Sequence, residues 1–136
     1  MSEQNKELAR RFYAEMNAGN ADIIFEATTE NFVEHDEFPG IPPTRDGVRE
    51  FFLMMRKAFP DMKMSIEDMI SEGDRVFIRA SMTGTHKGEF MGIPATGKQI
   101  KVPMGDFVRI ENGKVAEHWG VTDSGMLMQQ LGATGA

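Results

Sequence analysis

Apolar and polar residues alternate most regularly between residues 99 and 123, which predicts two strands joined by a tight turn. One set of alternate positions in the first strand is apolar with a single exception: Ile100, Val102, Met104, Asp106, Val108 and Ile110. Successive side chains of a strand point to opposite faces, so this set lines the interior face of the sheet. A carboxylate there is unfavourable unless it is hydrogen-bonded, paired or protonated. Asp106 is therefore either a satisfied structural acid or a functional group.

The turn between the two strands is Asn112-Gly113, the pair most typical of a type I′ hairpin, in which both central residues need positive φ. The returning strand carries polar or aromatic groups on both of its faces: Glu117, Trp119 and Asp123 on one, His118 and Thr122 on the other. Whichever face points inward, the hairpin brings an interior acid close to titratable or aromatic side chains.

The rest of the chain divides into helices first and strands afterwards. Apolar residues at helical spacing predict three helices, over residues 2–18, 21–28 and 45–59. Asp46 is a candidate N-cap for the third helix, which Pro60 stops. Extended patterns predict further strands, over 31–36, 62–71 and 75–86. A glycine-rich loop follows over 87–97, and a short helical turn is expected over 124–131.

This order of elements predicts an α+β fold in one domain over residues 1–136, because no repeat or linker interrupts it. We expect a strongly curved, mostly antiparallel sheet, with the three N-terminal helices closing its concave face. Such a cone would enclose a pocket. Met64, Phe77 and Phe107 do not all fit one interior, which favours a homodimer formed through the outer face of the sheet.

Composition argues against several classes of function. The chain of 136 residues is 40 % hydrophobic and 26 % charged, with a net charge of −6 and no basic run. Nucleic acid and anionic membranes are therefore not expected as partners. Cysteine is absent, which excludes disulfides, thiolate metal sites and a cysteine nucleophile. No apolar run approaches a membrane span and no signal-peptide segment is evident, so we expect a cytoplasmic protein. The twelve methionines suit an adaptable pocket or simple core filling.

Neither a metal nor a nucleotide cofactor is expected from the motifs. Three histidines and two carboxylates could in principle supply metal ligands: His35, His86, His118, Asp36 and Asp106. They show neither HxH nor HExxH spacing. The glycines of the 87–97 loop do not stand at the spacing of a dinucleotide or phosphate-binding motif.

Three segments carry a family resemblance: residues 86–98 (HKGEFMGIPATGK), 105–107 (GDF) and 113–119 (GKVAEHW). They closely resemble the SnoaL-like polyketide cyclases, which belong to the nuclear-transport-factor-2-like (ketosteroid-isomerase-like) superfamily. The resemblance extends over nearly the whole chain. It implies the cone-shaped fold, a homodimer and an apolar or aromatic small-molecule ligand. It also implies a cofactor-free intramolecular aldol condensation that closes a polyketide ring. The chain departs from its relatives at Gly120, where they often carry a charged residue.

The resemblance also suggests roles for individual residues. Asp106 matches the aspartate that serves the family as general acid/base, and a carboxylate in an apolar cavity is a stronger base. His86 and His118 are the candidate donors or orienters for the enolate. The candidate substrate-binding residues are His35, Trp119, Tyr13, Phe12, Met104 and Glu117.

Each catalytic candidate has a structural alternative. Asp106 could be a buried acid bonded to Arg109, His118 or a backbone N–H, and Asp106→Asn would then lower stability. An unpaired catalytic carboxylate would instead leave stability equal or higher after the same substitution. His86 could be a solvated histidine at a strand end. The phase of its strand favours a structural role for His118, pointing away from Asp106.

Two other classes of function stay open. One is a different enzyme on the same scaffold, an isomerase, dehydratase or epoxide hydrolase. An isomerase needs an oxyanion hole, often a tyrosine with a second acid, and Tyr13 is the single tyrosine available. The other is a non-catalytic binder of apolar molecules or a dimerisation module, in which His35 would cap the chain and Trp119 would be a core aromatic. A pocket on the order of several hundred Å³ at Asp106 would favour an enzyme.

Overall fold

Helices and strands follow one another in nearly the predicted order. A computed structural model describes residues 2–132. Its elements in chain order are α1 (Ser2–Asn17), α2 (Ile23–Ala27), β1 (Thr28–Glu34), α3 (Arg45–Ala58), β2 (Lys63–Glu72), β3 (Arg75–Thr85), β4 (Gln99–Glu111), β5 (Lys114–Thr122) and α4 (Ser124–Gln130). The predicted α+β class is confirmed.

The strands form one curved sheet in the order β1-β5-β4-β3-β2. Strands β2 to β5 are an antiparallel meander, as the alternating patterns predict. β1 joins the meander at its last strand and runs parallel to it, with Thr28 opposite Val115 and Glu34 opposite His118. A parallel pair needs a long connection, which α3 and the three strands before β5 provide. The sequence patterns gave no indication of this parallel edge.

The apolar alternate positions of β4 are buried, as predicted: Ile100, Val102, Val108 and Ile110. The face that they line packs against the helices in two apolar clusters. One cluster joins β4 to α2 and α3 through residues such as Ile24, Phe52 and Phe59. The other joins β3 and β4 to α1 through Tyr13 and Ile78. Asp106 lies on this same interior face, close to the second cluster.

The hairpin turn agrees with the prediction from the sequence, and the number of helices is higher by one. Asn112 and Gly113 have φ values of 52° and 75°, which confirms a turn with positive φ at both central residues. α4 adds a fourth helix where a helical turn was expected. Within residues 2–132, no helix is long and apolar enough to cross a membrane.

The helix ends lie within two residues of the predicted ones, and the end of the second helix and the cap of the third differ for identifiable reasons. The second helix ends at Ala27, because Thr28 is already extended and begins β1. α3 is capped by Thr44 and not by Asp46. Thr44 has extended φ and ψ, and its side-chain oxygen accepts a hydrogen bond from the backbone N–H of Gly47. Asp46 lies in the first turn of α3, where its charge favours the helix dipole.

We therefore expect Thr44→Ala to lower the free energy of unfolding by about 1 kcal/mol, the usual value of an N-cap. Asp46→Asn keeps the cap and removes only a charge near the helix start, so it should cost less. Urea unfolding of both variants beside the wild type measures the difference. A larger loss for Asp46→Asn than for Thr44→Ala would contradict the assignment of the cap.

Candidate functional site

Asp106 lies in β4 between two neighbours that leave room for its carboxylate. It pairs with Ile78 of β3 on one side and with Gly120 of β5 on the other. Gly120 has no side chain, and Asp36 and His118 occupy the space that a side chain would take there. Only 9 % of Asp106 is exposed to solvent. Its charge must therefore be met by groups of the protein.

A β-bulge in β5 decides which face of that strand points inward. Pairing next to the turn is regular, but Arg109 pairs with Glu117 and skips Ala116. This extra residue shifts the alternation of β5 by one position relative to β4. His118 consequently lies on the interior face with Asp106. The expectation that His118 points away from Asp106 is therefore wrong.

Two hydrogen-bond donors meet the Asp106 carboxylate. The Tyr13 hydroxyl reaches it from α1 and donates to Oδ2. His118 Nε2 lies 2.8 Å from Oδ1. Burial, reinforced by the charge of Asp106 and the hydrogen bond to it, raises the pKa of Tyr13. Tyr13 is therefore a neutral phenol and a hydrogen-bond donor across the physiological pH range.

The imidazole of His118 lies between two carboxylates. Nε2 contacts Asp106, and Nδ1 contacts Glu34 Oε2 at the end of β1. Burial by itself would lower the pKa of His118, but the hydrogen bonds to Asp106 and Glu34 outweigh it and raise the pKa to about 10. At neutral pH both ring nitrogens therefore carry protons, and both donate.

Two acids for which the sequence indicated no catalytic or substrate-binding role belong to this cluster, although Asp36 was considered as a metal ligand. Glu34 ends β1 directly opposite His118. Asp36 follows two residues later, and its backbone N–H donates to Glu34 Oε2 at 3.1 Å. Burial and then the charge of Glu34 raise the pKa of Asp36, while His118 lowers it and Asp106 raises it. The parallel pairing of β1 with β5 brings these acids to Asp106. The local sequence could not indicate this, because it shows only that the two acids flank His35.

Three of the predicted substrate-binding residues lie on the opposite, outer face of the sheet. Trp119 packs edge-on against Phe107 at 5.7 Å between ring centroids. His35 stacks on Trp119 at 4.6 Å, and its Nε2 lies 2.8 Å from Glu117 Oε2. The structure therefore does not bring His35, Trp119 or Glu117 together with Asp106. Arg109 also lies there, bonded to Glu117 at 2.6 Å, so it is not a partner of Asp106.

The other candidates are divided between the site and the core. His86 is fully buried at the far end of β3, roughly 25 Å along the strand from Ile78. Its Nδ1 lies 2.9 Å from Thr96 Oγ1, so it fixes the glycine-rich loop and is not solvated. Phe12 packs against the cluster formed with α2 and α3. Met104 lies two positions before Asp106 on the same face and packs against both apolar clusters.

Two shallow grooves lie on the outer face of the sheet, and both include Pro103 of β4. One has a volume of about 350 Å³ and includes Glu67, Arg79 and Lys101, and the other, of about 380 Å³, includes Phe77 and Val121. Neither is lined by Asp106, so neither is the pocket that was expected at that residue. At the acid cluster itself, 12 % of the Asp106 side chain and 22 % of the His118 side chain remain exposed. Solvent therefore reaches the polar groups of the cluster.

The cluster is suited to proton transfer and to stabilising an oxyanion. It combines carboxylates, a phenol and an imidazolium on a largely apolar face, which are the groups of general acid–base chemistry. In the part of the chain that the structure describes, no group of three His, Asp or Glu side chains is placed to hold a metal ion.

The charge of His118 predicts how stability depends on pH. The folded state raises the pKa of His118 from 6.5 to about 10, so its contribution to stability is complete below pH 6.5. The contribution is lost as the pH rises through about 10. Urea unfolding at pH 6, 8 and 10 should show this loss in the wild type and in His35→Gln, which alters an outer-face histidine. His118→Gln should remove it, and an unchanged pH dependence in His118→Gln would refute the assignment.

Comparison with known proteins agrees with this fold. The chain is 25 % identical to the aklanonic acid methyl ester cyclase DauD of Streptomyces sp. (strain C5) over 130 residues, which cover 93 % of this chain and 80 % of DauD. IdmH from Streptomyces antibioticus, a candidate polyketide cyclase, is 29 % identical with a TM-score of 0.85, over 95 % of this chain and 99 % of IdmH. AclR from Streptomyces galilaeus, a candidate hydroxylase, is 28 % identical with a TM-score of 0.87, over 97 % and 98 %.

The motif resemblance noted in the sequence is confirmed at the level of the whole chain. The sequence profile of the SnoaL-like polyketide cyclases matches residues 7–131, which include every residue of the acid cluster and the strands that carry it. The chain therefore belongs to the SnoaL-like polyketide cyclase family.

Proposed function

We propose that this protein catalyses a cofactor-free intramolecular aldol condensation, with Asp106 as general acid/base. The observation that carries the proposal is the environment of Asp106, a carboxylate on an apolar face that accepts hydrogen bonds from Tyr13 and from the His118 imidazolium. The names of DauD and of IdmH both describe cyclases, which supports the same reaction class for this chain.

The proposed reaction begins with proton transfer to Asp106. A carboxylate has about four lone-pair sites, and two hydrogen bonds leave the others free to accept a proton. Asp106 takes a proton from a carbon next to a carbonyl group, and the electron pair of the C–H bond enters the enolate. The enolate carbon then attacks a second carbonyl of the same molecule, which forms a C–C bond and an alkoxide. A proton returned to the alkoxide completes the ring closure with no net gain or loss of protons.

Tyr13 and His118 are the groups that would stabilise negative charge on the substrate oxygen. Both now donate to Asp106, and these hydrogen bonds weaken when Asp106 takes up the proton, so the Tyr13 O–H and the His118 Nε2–H become available to the enolate oxygen. Glu34 keeps His118 oriented and charged by binding Nδ1. The remaining neighbours on this face are apolar, among them Ile78 and Met104. The ligand that suits them is an apolar or aromatic small molecule with several carbonyl groups.

A second candidate function is enolisation without ring closure, as in an isomerase or dehydratase. The specific observation in its favour is the Tyr13–Asp106 hydrogen bond, a tyrosine paired with an acid on an apolar face. In the sequence, the position of the single tyrosine, Tyr13, on the first helix weakened the case for this class. The structure removes that objection, because Tyr13 contacts Asp106. Product analysis separates the two, because only the cyclase forms a new C–C bond.

The proposal extends to a homodimer formed through the outer face of the sheet. One row of side chains crosses that face from β2 to β1, and neighbouring members pair or stack: Ile70, Phe77, Phe107, Trp119 and His35. Ile70 is 66 % exposed, and Val121 on the same face is 71 % exposed. A second copy of this sheet face would cover the row, and burial of such a patch favours association.

We expect Asp106→Asn to keep the fold and to slow proton transfer by about 10²–10⁴-fold, since an amide cannot accept the proton. The probe is heptane-2,6-dione, whose deuterium uptake from D₂O is followed by NMR. Asp68→Asn alters an exposed outer-face acid paired with Arg79 and should leave uptake unchanged. Equal uptake by wild type and Asp106→Asn would end the proposal. Thermal unfolding cannot replace this assay. Asp106→Asn removes one of the two carboxylates bonded to His118, and this lowers stability whether the role of Asp106 is catalytic or structural.

For the dimer, sedimentation at micromolar concentration should give twice the chain mass for the wild type. Val121→Glu places a charge on the outer face and should shift the protein to monomer, because the charge would be buried in the interface. Met91→Glu is the matched control, as Met91 is 57 % exposed in the glycine-rich loop. A monomeric wild type would count against this interface.

A further inference from the structure

Asp36 occupies space that exists only because residue 120 is glycine. A Cβ atom built on Gly120 would lie 2.7 Å from Asp36 Oδ2 and 2.8 Å from His118 Cε1. Both distances are too short for real side-chain contacts. The Asp36 carboxylate and the His118 ring therefore meet over Gly120, directly across from Asp106. Gly120 is a positioning residue that admits a second aspartate to the site.

The two aspartates have opposite surroundings. Asp106 accepts hydrogen bonds from Tyr13 and from the His118 imidazolium. The Asp36 carboxylate accepts no hydrogen bond from the residues that the structure describes. Burial and the charges of Glu34 and Asp106 raise the pKa of Asp36, and His118 opposes them. These three groups, on β1, β4 and β5, are the titratable groups that face it.

We propose that Asp36 is the general acid of the ring closure, acting beside Asp106 as the base. This inference rests on the proposed cyclase function and divides its two proton transfers between two residues. Asp106 takes the carbon-bound proton as the enolate forms. Protonated Asp36 gives its proton to the alkoxide that appears when the C–C bond closes. Each residue then has the protonation state opposite to the one in which it began.

One proton moved from Asp106 to Asp36 resets the site, so the cycle consumes and releases none. Asp36 is only partly buried, so it can exchange its proton with water directly. His118 touches Asp106 through Nε2 and faces Asp36 through Cε1, so its positive charge stabilises whichever aspartate is ionised. This position explains how one imidazolium can serve both half-reactions without moving.

The test separates the two half-reactions in one sample of heptane-2,6-dione. Deuterium uptake at the carbons beside the carbonyls reports removal of the carbon-bound proton, and 3-hydroxy-3-methylcyclohexanone or its enone reports closure. Asp36→Asn should lower closure by about 10²–10⁴-fold, as expected for a lost general acid, and lower uptake much less. Glu37→Gln, an exposed acid next in the chain, is the matched control and should retain both signals. Asp106→Asn should lose both.

Several results would overturn the assignment of Asp36. If Asp36→Asn closes the ring as fast as Glu37→Gln, Asp36 is not the acid, while loss of both signals in Asp106→Asn would still support the cyclase. If Asp36→Asn loses uptake as fully as closure, Asp36 acts as the base and the assignment is reversed. A substrate-free check is the titration of the carboxyl carbon of Asp36 by NMR. Titration together with Glu37, or no response of its shift to His118→Gln, would also refute the proposal.

Discussion

A carboxylate buried on an apolar sheet face is the constraint on which the rest of the structure depends. Asp106 has lost most of its contact with water, and Tyr13 of α1 and His118 of β5 donate hydrogen bonds to it in compensation. The Tyr13 hydrogen bond holds α1 against the sheet, and the contact of His118 with Asp106 fixes the register of β5. Glu34 holds the end of β1 through its contact with His118. The apolar clusters on the same face supply most of the stabilisation by burial. The polar contacts fix how α1, β1 and β5 are aligned on β4, because the hydrogen bonds are satisfied only when these elements are in register.

The chemistry of the site follows from an imbalance of charge within a small space. Three carboxylates surround one imidazolium, and the phenol of Tyr13 is neutral. Such a cluster offers several groups that can carry a proton, which is what the proposed enolisation requires. The fold by itself does not select the reaction. IdmH and AclR share it, and their names describe a cyclase and a hydroxylase.

The sequence predicted those parts of the fold that depend on local pattern. Alternation identified the interior face of β4 and the odd acid within it, and Asn112-Gly113 identified the turn. His118 was one of the alternatives considered as a partner of Asp106, and Tyr13 was a candidate site residue, but the contacts themselves could not be predicted, because they depend on how separate segments pack. Glu34 needs the parallel pairing of β1, and Tyr13 needs the packing of α1. Trp119 and Glu117 were expected at the site, but the bulge at Ala116 reverses the alternation of β5 and places both on the outer face.

That bulge has a consequence for how such a site can change over time. One residue, Ala116, separates two versions of the same strand. With it, an imidazole faces the interior acid, and the indole and carboxylate of residues 119 and 117 face outward. A deletion of this single codon would exchange the two sets, and the inner wall would gain Trp119 in place of the charged ring. Relatives that differ by one residue in this strand can therefore present an aromatic, uncharged wall to the same aspartate, with no other change in the chain.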